Sequence, residues 1–137
     1  MEIIWGYSPE KTLDYTKRIG KEVVAVKQIF SALLFKTGIK GVCAKIDSFK
    51  VNTSVNIELD IDSAKIFEEN FFPNKAKIYY FELPKTILPK SKIEVLLNVE
   101  NGYVTLPLSA IGTGMGFQKI DQDFQPTNHL ALGLLIP

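Results

Sequence analysis

The sequence predicts an all-β fold: an antiparallel β-sandwich of seven to eight strands, in jelly-roll or Greek-key order, with one short peripheral N-terminal helix. Three observations predict it. Apolar and polar residues alternate with a period of two in several stretches, the mark of a strand with one buried face. Turn signals recur about every ten residues, the spacing expected of short antiparallel strands. Only one stretch, near the N-terminus, carries a helix-start signal.

Taken in order, 1–7 is short and apolar, with Ile3, Ile4, Trp5 and Tyr7, and reads as an edge strand or an arm. Ser8-Pro9-Glu10 has the composition of a helix N-cap and first turn. Leu13, Thr16 and Ile19 then share one helical face, and Gly20 ends the helix. From Glu22 to Lys36 the residues become β-branched and aromatic, giving two short strands or one bent strand with a bulge near Lys27-Gln28. Thr37-Gly38 and Lys40-Gly41 mark a turn. Val42, Ala44 and Ile46 alternate with Cys43, Lys45 and Asp47, and Val55, Ile57, Leu59 and Ile61 with Asn56, Glu58, Asp60 and Asp62. Residues 63–74 read as a connection, with a helical turn at 64–69. Ala76 to Leu83 is a strand, and Pro84 to Pro89 a Pro-bounded crossing.

The strongest local pattern runs from Lys92 to Ala110. Ile93, Val95, Leu97 and Val99 alternate up to Asn101-Gly102, and Val104, Leu106, Leu108 and Ala110 alternate after it. Asn-Gly favours a type I′ hairpin turn, because both central residues need φ > 0. A hairpin there pairs Glu100 with Tyr103 and Val99 with Val104, and sets all four apolar pairs, from Val99–Val104 to Ile93–Ala110, on one face. Gly112 to Gly116 and then Asp121 to Asn128 read as loops. Leu130 to Ile136 reads as the last strand, so 1–7 and 130–137 form apolar terminal arms of a single domain, 1–137.

Composition narrows the function. With 137 residues, 46% hydrophobic and 23% charged, the chain suits one globular domain able to bury its own core. Its net charge of +1, from 16 basic and 15 acidic residues, implies no strongly basic face, and no specific nucleic-acid binding is expected. Arg18 is the single arginine, which weakens bidentate recognition of phosphates or base edges. Cys43 stands alone, so neither an intrachain disulfide nor a cysteine-based metal cluster forms. No apolar stretch reaches the roughly 18 residues that span a bilayer, and no signal peptide is expected.

Catalytic groups are scarce. His129 is the one histidine, so any Ser-His-Asp or Cys-His arrangement has to use it, and no activating motif surrounds Cys43 or any serine. The loop Gly112-Thr113-Gly114-Met115-Gly116 follows a strand but has neither G-x-G-x-x-G nor Walker spacing. Asn56, Glu58, Asp60 and Asp62 make an acidic strand face, and Asp121 with Asp123 a second acidic pair; calcium where the Asp60–Glu69 connection meets the Asp121 loop is the only metal arrangement they suggest. No cofactor and no catalytic residue are expected. Aromatics cluster at Phe71-Phe72 and Tyr79-Tyr80-Phe81, and alternation turns either Tyr80 or its two neighbours away from the core.

The run from Val42 to Ala110 (a strand, a strand ending in Asp60-Ile61-Asp62, Tyr79-Tyr80-Phe81, a Pro-bounded segment and a hairpin) resembles the small single jelly-roll β-sandwich proteins of phage and archaeal virus particles. The resemblance implies a non-enzymatic structural subunit, a capsid or accessory virion protein, working as a homo-oligomer or docked on other virion proteins. It would be located in the virion if viral and in the cytoplasm otherwise. The candidate interface consists of Ile3, Ile4, Trp5, Tyr7, Phe71, Phe72, Tyr80, Leu130, Leu132 and Leu134. The competing expectation is a ligand-binding sandwich of carbohydrate-binding type, using an outward aromatic and calcium.

Overall fold

The structure, a computed structural model, describes residues 2–137; Met1, the first residue of the expected N-terminal arm, lies outside them. The chain is all-β, its sheets are antiparallel, and no α-helix occurs among the described residues. One sheet orders β1 (Glu2–Trp5), β14 (Leu132–Ile136), β4 (Ile39–Ile46) and β8 (Lys77–Ile87). A second orders β13 (His129–Leu130), β10 (Val104–Ser109) and β2 (Thr12–Ile19), with β5 (Ser48–Phe49) also paired to β10. The third, six-stranded, orders β12 (Asp123–Thr127), β11 (Met115–Ile120), β3 (Val23–Ser31), β9 (Lys92–Glu100), β6 (Ser54–Ile61) and β7 (Ala64–Phe71). A 3-10 turn, Ala32–Leu34, follows β3.

Period-two alternation sets the buried faces. Val55, Ile57, Leu59 and Ile61 on β6 and Ile93, Val95, Leu97 and Val99 on β9 point into one core. Val42, Ala44 and Ile46 of β4, Leu106 and Leu108 of β10, and Leu132 and Leu134 of β14 join the same core. Phe81 of β8 packs on Phe67 and Phe71 of β7, with ring centroids 6.1 and 5.1 Å apart, and so ties the first sheet to the six-stranded one. Each fully buried Leu or Ile contributes about 1.5–3 kcal/mol, so these rows carry most of the favourable energy of folding.

The expected hairpin at Asn101-Gly102 does not form. The alternating faces are as expected along β9 and as far as Leu106; Pro107 and Ser109 are then buried along with Leu108, and Ala110 is exposed beyond the end of β10. β9 pairs with β3 and β6, while β10 pairs with β2, β13 and β5. Alternation fixes which face is buried and leaves the partner open, so two consecutive strands can face one core from different sheets. The Tyr103 carbonyl accepts from Lys50 N at 3.0 Å. Asn101 takes φ 57° and Gly102 φ 152°, and a Cβ on Gly102 would lie 2.0 Å from Thr53 Oγ1. Asn-Gly here makes a corner between sheets, wedged against a fully buried threonine.

The expected N-terminal helix is also absent: Thr12–Ile19 is β2, paired to β10. Ser at the first position and Pro at the second suit a β-turn as well as a helix start. Lys11 N donates to Ser8 O at 3.2 Å and closes that turn, and Ser8 N donates to Ser109 Oγ at 2.8 Å. Thr12, Tyr15, Thr16 and Ile19 are β-formers, and the strand needs no helical face. The segment 22–36 resolves into the single strand β3 followed by the 3-10 turn.

The segment 63–74, read as a connection, is mostly β7. Asp62 and Ser63, at φ 53° and 69°, make the two-residue turn that joins it to β6, with Ile61 opposite Ala64. The Asp62 carboxylate accepts from Lys90 N (2.9 Å) and Ser91 N (2.7 Å), anchoring this turn to the β8–β9 connection. The helix-forming composition of 64–69 concealed the strand. β12 likewise replaces most of the expected 121–128 loop, and β8 continues through Pro84 to Ile87. Proline is tolerated there because β8 is an edge strand with a register shift at that point.

Candidate interface and the outer sheet faces

Two cross-strand rows build the outer face of the first sheet. Ile3, Leu135, Gly41 and Glu82 stand in one, and Trp5, Gly133, Cys43 and Tyr80 in the next. Small residues occupy the middle of the second row, between two aromatic side chains. A Cβ on Gly133 would come within 2.9 Å of Ile3 Cγ2 and 3.0 Å of Trp5 Cε3, so glycine there lets both side chains lie low over the sheet. A recess of about 380 Å³ opens among Ile3, Tyr80, Glu82 and Leu135. Tyr80 stands beside it, 54% exposed, whereas Tyr79 and Phe81 turn inward against Phe71.

The structure thus sets Ile3, Trp5 and Tyr80 on one sheet face, at its two edges, and separates the rest of the expected interface. Ile4 packs against the core, as Trp5 also does in part, and Tyr7 is buried in it with its ring edge-on to Trp5 at 5.3 Å. Phe71 faces inward, while Phe72 is 66% exposed on the six-stranded side. Leu130, Leu132 and Leu134 have no exposed surface; they belong to the core of this chain and have none to offer a partner. The expected terminal arms are integral strands: β1 is hydrogen-bonded to β14, and β14 lies between β1 and β4.

His129 sits in β13 opposite Ser109. The Ser109 hydroxyl donates to the Ile111 carbonyl and accepts from Ser8 N, so it is already committed. His129 Nδ1 lies 3.3 Å from Gln28 Nε2, and burial lowers its pKa. Gln28, fully buried, also donates to Thr113 O (2.8 Å) and accepts from Leu130 N (3.1 Å), stitching β3 to β13. In the glycine loop, Thr113 N is spent on Gly6 O (2.9 Å), which removes an amide that a phosphate cradle would need. Cys43 is buried, and desolvation pushes its thiol up to about 12, which keeps it unreactive.

The expected acidic strand face, Asn56, Glu58 and Asp60, is part of the outer face of the six-stranded sheet, while Asp62 belongs to the turn after β6. One cross-strand row is Ala25, Asn98, Asn56 and Asn70, and another is Ile29, Glu94, Asp60 and Lys65. Burial, the hydrogen bond and charge of Glu58, and the charge of Glu94 push Asp60 up to about 6, against the pull of Lys65. One of its oxygens, Oδ1, is buried without a hydrogen-bond partner. Lys92 reaches Glu94 at 3.0 Å and Lys65 reaches Glu58 at 3.5 Å. The expected meeting of the Asp60 segment with Asp121 does not occur, because β3 and β9 separate β6 from β11. Among the described residues no group of three or more His, Cys, Asp or Glu is placed to hold a metal ion.

No family model, curated protein or solved structure matches the chain. Among the described residues no helix is long and apolar enough to cross a membrane.

Proposed function

We propose that the chain is a non-enzymatic structural subunit of jelly-roll type that self-associates, in the manner of small capsid and accessory virion proteins. Strand order supports the jelly-roll reading. With β2, β5 and β10–β13 set aside, eight strands remain in two four-stranded arrays, β1-β14-β4-β8 and β3-β9-β6-β7. The chain changes array at every step except β6 to β7, the pattern of two nested Greek keys.

The observation that carries the assembly reading is the outer face of the first sheet. Ile3, Trp5 and Tyr80 share it with a recess of about 380 Å³. A projecting tyrosine and an adjacent hollow on one face are self-complementary, which suits a two-fold contact with a second copy. Tyrosine and tryptophan are also the residues that most often anchor such contacts. A net charge of +1 sets up little repulsion between copies.

Light scattering after size exclusion tests this on the full chain and on Tyr80→Lys and Ile3→Lys, which leave the core rows untouched. The expected result is a discrete oligomer for the parent chain and folded monomers for both variants. A monomeric parent chain at high micromolar concentration, or variants of unchanged mass, would count against the reading.

A further inference from the structure

We propose that the outer face of the six-stranded sheet is a binding groove for a neutral oligosaccharide. It lies across the core from the Tyr80 face, so this site is independent of self-association. The groove encloses about 790 Å³, within the range of about 300–1,000 Å³ typical of small-molecule sites.

The groove floor is built from side-chain amides. Asn98, Asn56 and Asn70 stand in one cross-strand row on β9, β6 and β7. Neighbouring strands lie about 4.8 Å apart, so the three amides present a regular array across about 10 Å. Asparagine is depleted in strands, and here three stand in a row on adjacent strands, of which the Asn56–Asn70 pair is hydrogen-bonded and Asn98 is left over. Each amide offers both donors and an acceptor, and a sugar hydroxyl does the same, so the two match whichever way the hydroxyl turns. Asn56 Nδ2 donates to Asn70 Oδ1 at 2.9 Å and, more weakly, to Glu68 Oε2 at 3.3 Å. Asn98 makes no side-chain hydrogen bond to another described residue, and its amide is open to the groove.

Phe72 supplies the apolar element. The residue is 66% exposed and lines the same groove as the amide row. A pyranose carries C–H groups on its faces and hydroxyls around its rim. A ring stacked on Phe72 would therefore direct hydroxyls toward the asparagines. Charge selects among sugars: Glu68 and Glu100 line the groove and no Lys or Arg does, and of the two only Glu68 is paired among the described residues, to Lys65 at 3.4 Å. Phosphorylated, sulfated or uronic-acid ligands would be repelled by Glu100, and a neutral sugar gains its carboxylate as a strong acceptor.

The test is calorimetric titration of the full chain with five neutral hexasaccharides (cello-, malto-, xylo-, manno- and chito-oligosaccharides), and with oligogalacturonate as an anionic probe. At least one neutral probe should bind, and Phe72→Ala and Asn98→Ala should each weaken it at least about tenfold while melting like the parent chain. Tyr80→Lys should bind as the parent does. Absence of binding by all five neutral probes at millimolar concentration overturns the proposal. So does binding that is indifferent to both groove substitutions, or preference for the anionic probe.

Discussion

Replacing Asp60 by asparagine should stabilise the protein at neutral pH and leave it nearly unchanged in acid. Asp60 stands in the middle of a row on the outer sheet face, between Glu94 and Lys65, with Glu58 two residues earlier on the same strand. Its carboxyl rises from 3.8 to about 6 on folding, chiefly through burial and then through Glu58. The folded state therefore holds a proton that the unfolded chain has released between those two values. The stabilisation this gives is fully present below pH 3.8 and is lost as the pH rises through 6. At about 1.4 kcal/mol per pH unit the effect has a ceiling near 3 kcal/mol. The side chain is partly solvated, and screening reduces it to about 1–2 kcal/mol. Asparagine keeps the shape and needs no proton. Urea denaturation of both proteins from pH 4 to 8 measures the difference: the advantage of Asp60→Asn should grow by about 1–2 kcal/mol across that range and level off above pH 7. Parallel stability profiles for the two proteins would refute the reasoning.

Two further predictions concern how the chain is threaded. Gly102→Ala should cost about 2–4 kcal/mol in urea denaturation, because φ is 152° and the new Cβ would press on Thr53; Thr53→Ala in the same chain should recover part of the loss, whereas an isolated hairpin turn would show no such coupling. Removal of residues 130–137 should abolish cooperative melting rather than release a folded monomer. Leu130, Leu132 and Leu134 are each fully buried, and at about 1.5–3 kcal/mol apiece their loss is comparable to the margin of a domain stable by roughly 5–15 kcal/mol; the cut also removes β14, the strand that β1 and β4 both pair with. A sharp melt for the truncated chain would show that the last strand is a detachable arm after all.

What was legible in the sequence was the side of each strand that faces the core. The rows Val55–Ile61 and Ile93–Val99 alternate without interruption, and burial follows them residue by residue. Strand partners were not legible. Asn101-Gly102 has the chemistry of a hairpin turn, yet that chemistry describes two dihedral angles, and a corner between sheets uses them equally well. Asp62-Ser63, the two-residue turn that does close a hairpin, lacks the glycine that usually signals one. Ser8-Pro9 was ambiguous for a related reason: a β-turn and a helix start ask for the same residues at the same places. Of the candidate interface, Tyr80 emerged because alternation sets it against Tyr79 and Phe81. Its neighbours Ile3 and Trp5 come from the far end of the chain, and only the order β1-β14-β4-β8 puts them on one face. The asparagine row was invisible for the same reason, since Asn56, Asn70 and Asn98 meet only through the pairing of β6 with β7 and β9.

The most direct test of the central claim, that copies meet through the outer face of the first sheet, is a cross-link. Ile3 and Tyr80 are three strand spacings apart within one chain, about 14 Å, well beyond the reach of a disulfide. In a two-fold contact that seats Tyr80 of one copy in the hollow beside Ile3 of the other, the same two positions approach each other across the interface. An equimolar mixture of Ile3→Cys and Tyr80→Cys chains, in which each mixed pair keeps one Tyr80–Ile3 contact intact, should therefore run as a covalent dimer on a non-reducing gel after mild oxidation, and return to monomer with reductant. The buried Cys43 takes no part. Chains that stay monomeric while both new thiols react freely with a small alkylating reagent would contradict the account.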